Sequence, residues 1–164
     1  MSGLRYLGYS VVFQEVPDEI TLAINITGCP YKCNGCHSQY LWEDRGRYIN
    51  TDLNAIISQH VEYITCVCIM GGDQNLQELI DIFKYIQNTY HLKTCLYSGN
   101  RDVHYFDNVL PYLDYIKIGP YIQSKGGLDS ETTNQRMYKV QHSQIVDDIT
   151  YKFLKQYRRQ QVEN

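Results

Sequence analysis

Four apolar stretches that read as strands each run into a glycine, and this repeat constrains the fold more than any other feature. Ile20 to Ile26 leads to Gly28, Ile64 to Met70 to Gly71-Gly72, Lys93 to Tyr97 to Gly99, and Tyr115 to Ile118 to Gly119. The second of these, Ile-Thr-Cys-Val-Cys-Ile-Met, is almost continuously apolar, as a strand covered on both faces of a parallel sheet must be. Helical periodicity fills the gaps. Leu53, Ile56 and Ile57 make an apolar stripe on a helix that Thr51 or Asp52 can cap and that runs to about His60. Leu79, Ile80, Phe83 and Ile86 make another over Leu76 to Tyr90. Ahead of these, Tyr6 to Gln14 is a strand, joined to Ile20–Ile26 through the turn residues Val16-Pro17-Asp18-Glu19. A weak helix is predicted over Asp102 to Leu110, stopped by Pro111, then an irregular polar stretch from Tyr121 to Gln135 and a last strand over Met137 to Val140. A terminal helix is predicted over Asp147 to Arg159, with an Asp pair in its first turn. Strand and helix in alternation predict βαβ units around a parallel sheet. The glycine loops fall at carboxyl ends of strands, the edge where such folds carry their sites.

At 164 residues the chain reads as one domain, long enough for a real core and short for an eight-stranded barrel. An apolar content of 43% argues against disorder. A net charge of −3 with no basic face argues against nucleic acid as the main partner; Lys155-Gln156-Tyr157-Arg158-Arg159 reads as a solvated helix end. Met1 to Val16 lacks the pattern of a signal peptide, and no apolar run reaches membrane-spanning length. The expected compartment is therefore the cytoplasm, where cysteines stay reduced. The 16 tyrosines are spread along the chain and read as half-buried packing rather than as redox groups.

Cys29, Cys33 and Cys36 stand apart from that bland background. They lie in Gly28-Cys29-Pro30-Tyr31-Lys32-Cys33-Asn34-Gly35-Cys36-His37, a C-x3-C-x2-C spacing directly after a predicted strand. Three thiolates this close can wrap one metal centre, and three rather than four leave a position open. A structural zinc site would add His37 as fourth ligand, but adjacent residues direct their side chains apart. Covalent haem matches Cys33-Asn34-Gly35-Cys36-His37 as C-x-x-C-H and leaves Cys29 unused. Inert thiols belong in apolar strands, as Cys66, Cys68 and Cys95 do, not in a Gly/Pro/Asn loop. An iron–sulfur cluster held by three cysteines leaves one iron free for a chelating substrate.

On these residues the chain resembles the radical S-adenosylmethionine enzymes. Within them it is most similar to the activating proteins of anaerobic (class III) ribonucleotide reductase. Gly35 stands where general members carry an aromatic residue and this branch carries glycine, and Trp42 follows the loop as in the branch. Gly71-Gly72-Asp73, Ser98-Gly99 and Asn134-Gln135-Arg136 resemble further family motifs. The chain departs from the pattern at Gln74-Asn75, at Lys117-Ile118-Gly119 and from Gln123 to Thr133.

The resemblance implies an α/β fold of parallel βα units, a single radical S-adenosylmethionine domain over residues 1–164 shaped as an incomplete TIM-type barrel of roughly five to six strands, open on one side. It implies a 4Fe-4S cluster on Cys29, Cys33 and Cys36, with S-adenosylmethionine chelating the free iron against Gly35, Cys36, His37, Gly71, Gly72 and Asp73. The implied reaction is reductive cleavage of S-adenosylmethionine to methionine and a 5′-deoxyadenosyl radical, which takes a hydrogen atom from a glycine of the reductase. The implied partners are the reductase catalytic subunit and a flavodoxin- or ferredoxin-type reductant, with neither nucleic acid nor membrane; a homodimer is compatible with it. The competing readings are the activator of another glycyl radical enzyme, of the formate-lyase type, and a non-catalytic metal-binding module.

Overall fold

The apolar stretches pair side by side into one sheet. The computed structural model describes residues 3–163. In order these form β1 (Arg5–Val12), β2 (Thr21–Ile26), β3 (Arg47–Tyr48), α1 (Ile49–Ser58), β4 (Cys66–Met70), α2 (Leu76–Tyr90), β5 (Lys93–Tyr97), β6 (Tyr115–Ile118), β7 (Arg136–Gln141), β8 (Gln144–Asp148) and α3 (Lys155–Glu163). The strand order is β3-β1-β2-β4-β5-β6-β7-β8. β2, β4, β5 and β6 run parallel. β1 and β3 flank them antiparallel on one side, β7 and β8 on the other. The α/β class holds. The parallel βα unit extends over four strands rather than five or six, the sheet has eight strands in all, and its order is linear, with β3 and β8 as its ends.

The period of two splits the core. Leu22, Ile24, Ile26, Val67, Ile69, Leu96 and Ile116 point to one face and bury against Leu53, Ile56 and Ile57 of α1 and Leu79, Ile82, Phe83 and Ile86 of α2. Burial of each such side chain contributes about 1.5–3 kcal/mol. Cys66, Cys68, Cys95, Tyr115 and Met137 point to the opposite face, under Val16, Ile149 and Phe153. The three thiols are free and fully buried, as expected for core cysteines. Burial pushes the Cys66 and Cys95 thiols well up and keeps them neutral.

Three elements differ from the sequence-based expectation. Asp102 to Leu110 forms no α-helix; it makes 3₁₀ turns at Val103–Phe106 and Leu110–Tyr112. Asp102 caps the first, accepting from His104 N at 2.9 Å, and Asp107, Asn108 and Pro111 leave too little propensity for more than a turn. The Asp147-Asp148 pair lies at the end of strand β8, not in a helix; Ile145 and Val146 extend the strand into it. The Asp148 carboxylate accepts from Thr150 N at 3.0 Å and Thr150 Oγ1 at 2.6 Å, a turn-forming role, and α3 starts only at Lys155. Helix α1 starts at Ile49, ahead of the expected caps, and Asp52 in its first turn accepts from Tyr6 Oη at 2.7 Å and Arg47 Nε at 2.6 Å. Among the described residues no helix is long and apolar enough to cross a membrane.

Candidate metal centre

The four parallel strands end in one layer of side chains. Asn25 pairs in register with Met70, Met70 with Tyr97, and Tyr97 with Lys117. Equivalent positions on neighbouring strands share a face, so all four project to the side away from α1 and α2. They floor a cavity of about 210 Å³ whose other walls include Cys29, Cys36, Gly71, Asp73 and Trp42. The cavity therefore sits at the carboxyl ends of the parallel strands, as the glycine loops predict.

The cysteine loop is tied down at its base and its middle. Gly28 N and Cys29 N both donate to Leu41 O, at 2.8 and 3.1 Å. Gly28 adopts φ +79, and a side chain there would meet Gln74 Nε2 at 3.1 Å, which itself donates to Thr27 O at 2.9 Å. Gln74, a departure from the family pattern, thus braces the loop entry, and Asn75 caps α2 by accepting from Glu78 N at 3.1 Å. Further along, Cys36 N donates to Cys33 O at 3.1 Å and Ser38 N to Cys36 Sγ at 3.3 Å. All three thiols are half-buried and free.

Tyr31, between the first two cysteines, clasps the loop onto the sheet. Its hydroxyl donates to Asp73 Oδ2 at 2.5 Å, and its ring lies so close over Gly99 that a side chain there would meet Tyr31 Cδ2 at 2.8 Å. Ser98 Oγ donates to the same Asp73 oxygen. Burial pushes the Asp73 carboxyl up, and the Ser98 and Tyr31 hydroxyls pull it part of the way back. Tyr31→Phe is expected to lower the stability of the metal-free protein by about 1.5 kcal/mol, the lower end for a bond to a charged group because Ser98 still serves the carboxylate. Urea denaturation measures it. An unchanged midpoint would mean that the Leu41 carbonyl alone holds the loop.

The expected site residues divide into three groups. Cys29, Cys36, Gly71 and Asp73 come together around the cavity. Cys33 is tied to Cys36 through its carbonyl, and Gly35 and His37 lie against the segment after β6. There the His37 ring is 5.7 Å from that of Tyr121, and a side chain on Gly35 (φ +78) would meet Gln123 Oε1 at 3.2 Å. Gly72 turns inward: a side chain there would meet Leu79 Cδ2 at 2.8 Å, so packing against α2 accounts for this glycine. Asn134 and Gln135 brace the end of β6, donating to Pro120 O at 3.0 Å and Gly119 O at 3.4 Å. Tyr31 was not foreseen, while Ser98 reads in the sequence only as part of a family-like turn and Lys117 only as a departure from the family pattern. Lys117, a lone charge in the otherwise apolar strand Tyr-Ile-Lys-Ile, was the signal in plain view.

The donor set, three free and half-buried thiols on one short loop, suits a cluster, and the ring of His37, the fourth ligand of a Cys3His zinc site, lies 5.7 Å from that of Tyr121. A cluster takes one thiolate per iron, so its cysteines need not meet at a point. The cavity also offers an unused donor: Trp42 Nε1 is buried in its wall without a hydrogen-bond partner.

Comparison with known proteins agrees with this chemistry. The family model described as a 4Fe-4S single cluster domain matches residues 20–147. The chain is 28% identical over 107 residues to the anaerobic ribonucleoside-triphosphate reductase-activating protein of Enterobacteria phage T4, a match covering 58% of this chain and 67% of that protein.

Proposed function

Because the chain belongs to the 4Fe-4S single cluster domain family, we propose that it is a radical S-adenosylmethionine enzyme that generates a glycyl radical on an anaerobic ribonucleotide reductase. The observation that carries the reading is the C-x3-C-x2-C loop mounted over a cavity at the carboxyl ends of parallel strands, with Gly71 and Asp73 in its wall. The phage T4 relative supplies the partner class. Cys29, Cys33 and Cys36 hold the cluster as thiolates, one per iron. When bound, the cluster supplies one electron, drawn from a flavodoxin- or ferredoxin-type reductant, to the sulfonium of S-adenosylmethionine. Gly71 bears no side chain on the cavity wall, so a cofactor can come close to the end of β4. Asp73 sends one oxygen to Tyr31 and Ser98; its carboxylate can still accept from the cofactor's ammonium group. The backbone at Gly35, Cys36 and His37 would border the adenosyl group of a bound cofactor.

The test is anaerobic incubation of the reconstituted protein with dithionite, S-adenosylmethionine and the reductase, read by electron paramagnetic resonance. A glycyl radical that requires all components is expected. Cofactor cleavage without a radical on the reductase would remove the partner from the reading, and no cleavage would remove the chemistry.

A further inference from the structure

Lys117 is a buried charge that the proposed chemistry does not use. Its residue is 8% exposed and its side chain floors the cavity beside Cys29, Cys36 and Asp73. Its ammonium donates to Ser98 O at 3.2 Å and Gly119 O at 2.9 Å and lies 5.6 Å from the centre of the Tyr97 ring. All three partners are neutral. None of the ion pairs among the described residues includes Lys117. An ammonium has three donors, and two are used, so one remains for whatever fills the cavity.

A buried, unpaired charge is costly and persists where something compensates it. Burial pulls Lys117 down to about 8, and Cys33, Asp73, Cys29 and Cys68, in that order, oppose the pull. Two of those four are cysteines of the loop. Asp73 keeps its charge but forms no ion pair with Lys117, and its Oδ2 is held by two hydroxyls. An anionic centre built on the loop cysteines would balance the ammonium.

We propose that Lys117 is the counter-charge of the cysteine-bound cluster and raises its reduction potential. The inference rests on the cluster reading above. Thiolates make the centre anionic, and the electron that reduces it adds one more negative charge. A fixed cation beside it stabilises the reduced state more than the oxidised one. Lys117 is thus a positioning and tuning residue, not a catalytic one.

Potentiometric titration without S-adenosylmethionine, followed by the paramagnetic signal of the reduced cluster, tests this on wild type, Lys117→Met and Lys117→Arg. Lys117→Met is expected to keep its irons and to disfavour reduction about tenfold, a shift of about 59 mV to lower potential for one electron. Lys117→Arg, which keeps the charge, is expected to stay near wild type. Where the methionine variant does not fold, Lys117→Gln replaces it, since it can still donate to a backbone carbonyl. An unchanged midpoint in the neutral variant overturns the proposal. If cofactor affinity falls at the same time, the ammonium serves the carboxylate of S-adenosylmethionine instead. A wild type that holds no four-iron cluster overturns the functional reading itself, whereas an unshifted variant of a loaded wild type overturns only this inference.

Discussion

Cys33→Ala is expected to lose both the cluster and all reductive cleavage of S-adenosylmethionine. Wild type, reconstituted anaerobically, should carry about four irons and four sulfides per chain, as cubane stoichiometry requires. Cys33 is half-buried in the loop, so its removal takes away a ligand without opening the core. One iron is then left with neither a protein thiolate nor a cofactor to hold it. Loss of an outer-shell partner of a metal ligand already costs about 10–100-fold in affinity or activity. Loss of a ligand should exceed the upper figure and take methionine release to background. Iron and sulfide analysis and methionine release measure it, with circular dichroism of the metal-free variant as the control for folding. A variant that keeps its irons and its turnover would show that the ligand set is wrong, and a colourless wild type with one zinc would remove the cluster altogether.

Gly72→Ala is expected to damage the fold rather than the chemistry. Gly72 has φ +100, a conformation that costs an alanine about 1–2 kcal/mol. Its new methyl would stand 2.8 Å from Leu79 Cδ2 and 3.2 Å from Leu4 Cδ1. Leu79 is fully buried on the inner face of α2 and cannot swing aside freely, so overpacking adds about 1–3 kcal/mol. The sum, about 2–5 kcal/mol, is a large part of the 5–15 kcal/mol that a domain typically has. Chemical denaturation of the metal-free protein measures it. Full stability combined with weak cofactor binding would instead assign this glycine to the ligand. Gly71 is the milder neighbour: its methyl would meet Ile26 Cβ at 3.3 Å, and it is Gly71, not Gly72, that lines the cavity.

The paired glycines show how far sequence reading reaches. Their place after an apolar strand located the right edge of the sheet, but two adjacent glycines with different duties look the same in a string of letters. Gln74 and Asn75 read as a departure from family pattern; in three dimensions one braces Thr27 O and the other caps α2. The Asp147-Asp148 pair suited a helix start by local charge, while pairing of β8 with β7 took those residues into a strand, where Asp147 pairs with Lys139 and Asp148 with Tyr138. Local preference lost there to a partner strand.

The cysteine spacing, the apolar strand runs and the helical stripes of α1 and α2 were legible because each depends on residues within a few positions of one another. Thiolate ligation by a short loop and the periods of 2 and 3.6 are local properties of a chain. The cavity floor was not legible in the same way. Asn25, Met70, Tyr97 and Lys117 come from four strands and form a layer only through their register. The Tyr31 clasp joins residues 42 positions apart. A contact of that kind carries no periodic trace, since it is set by how strands align and how a loop folds back across them. The three cysteines read as a metal centre from sequence alone; the charge of Lys117 in the cavity floor emerges only once β6 has docked against β5.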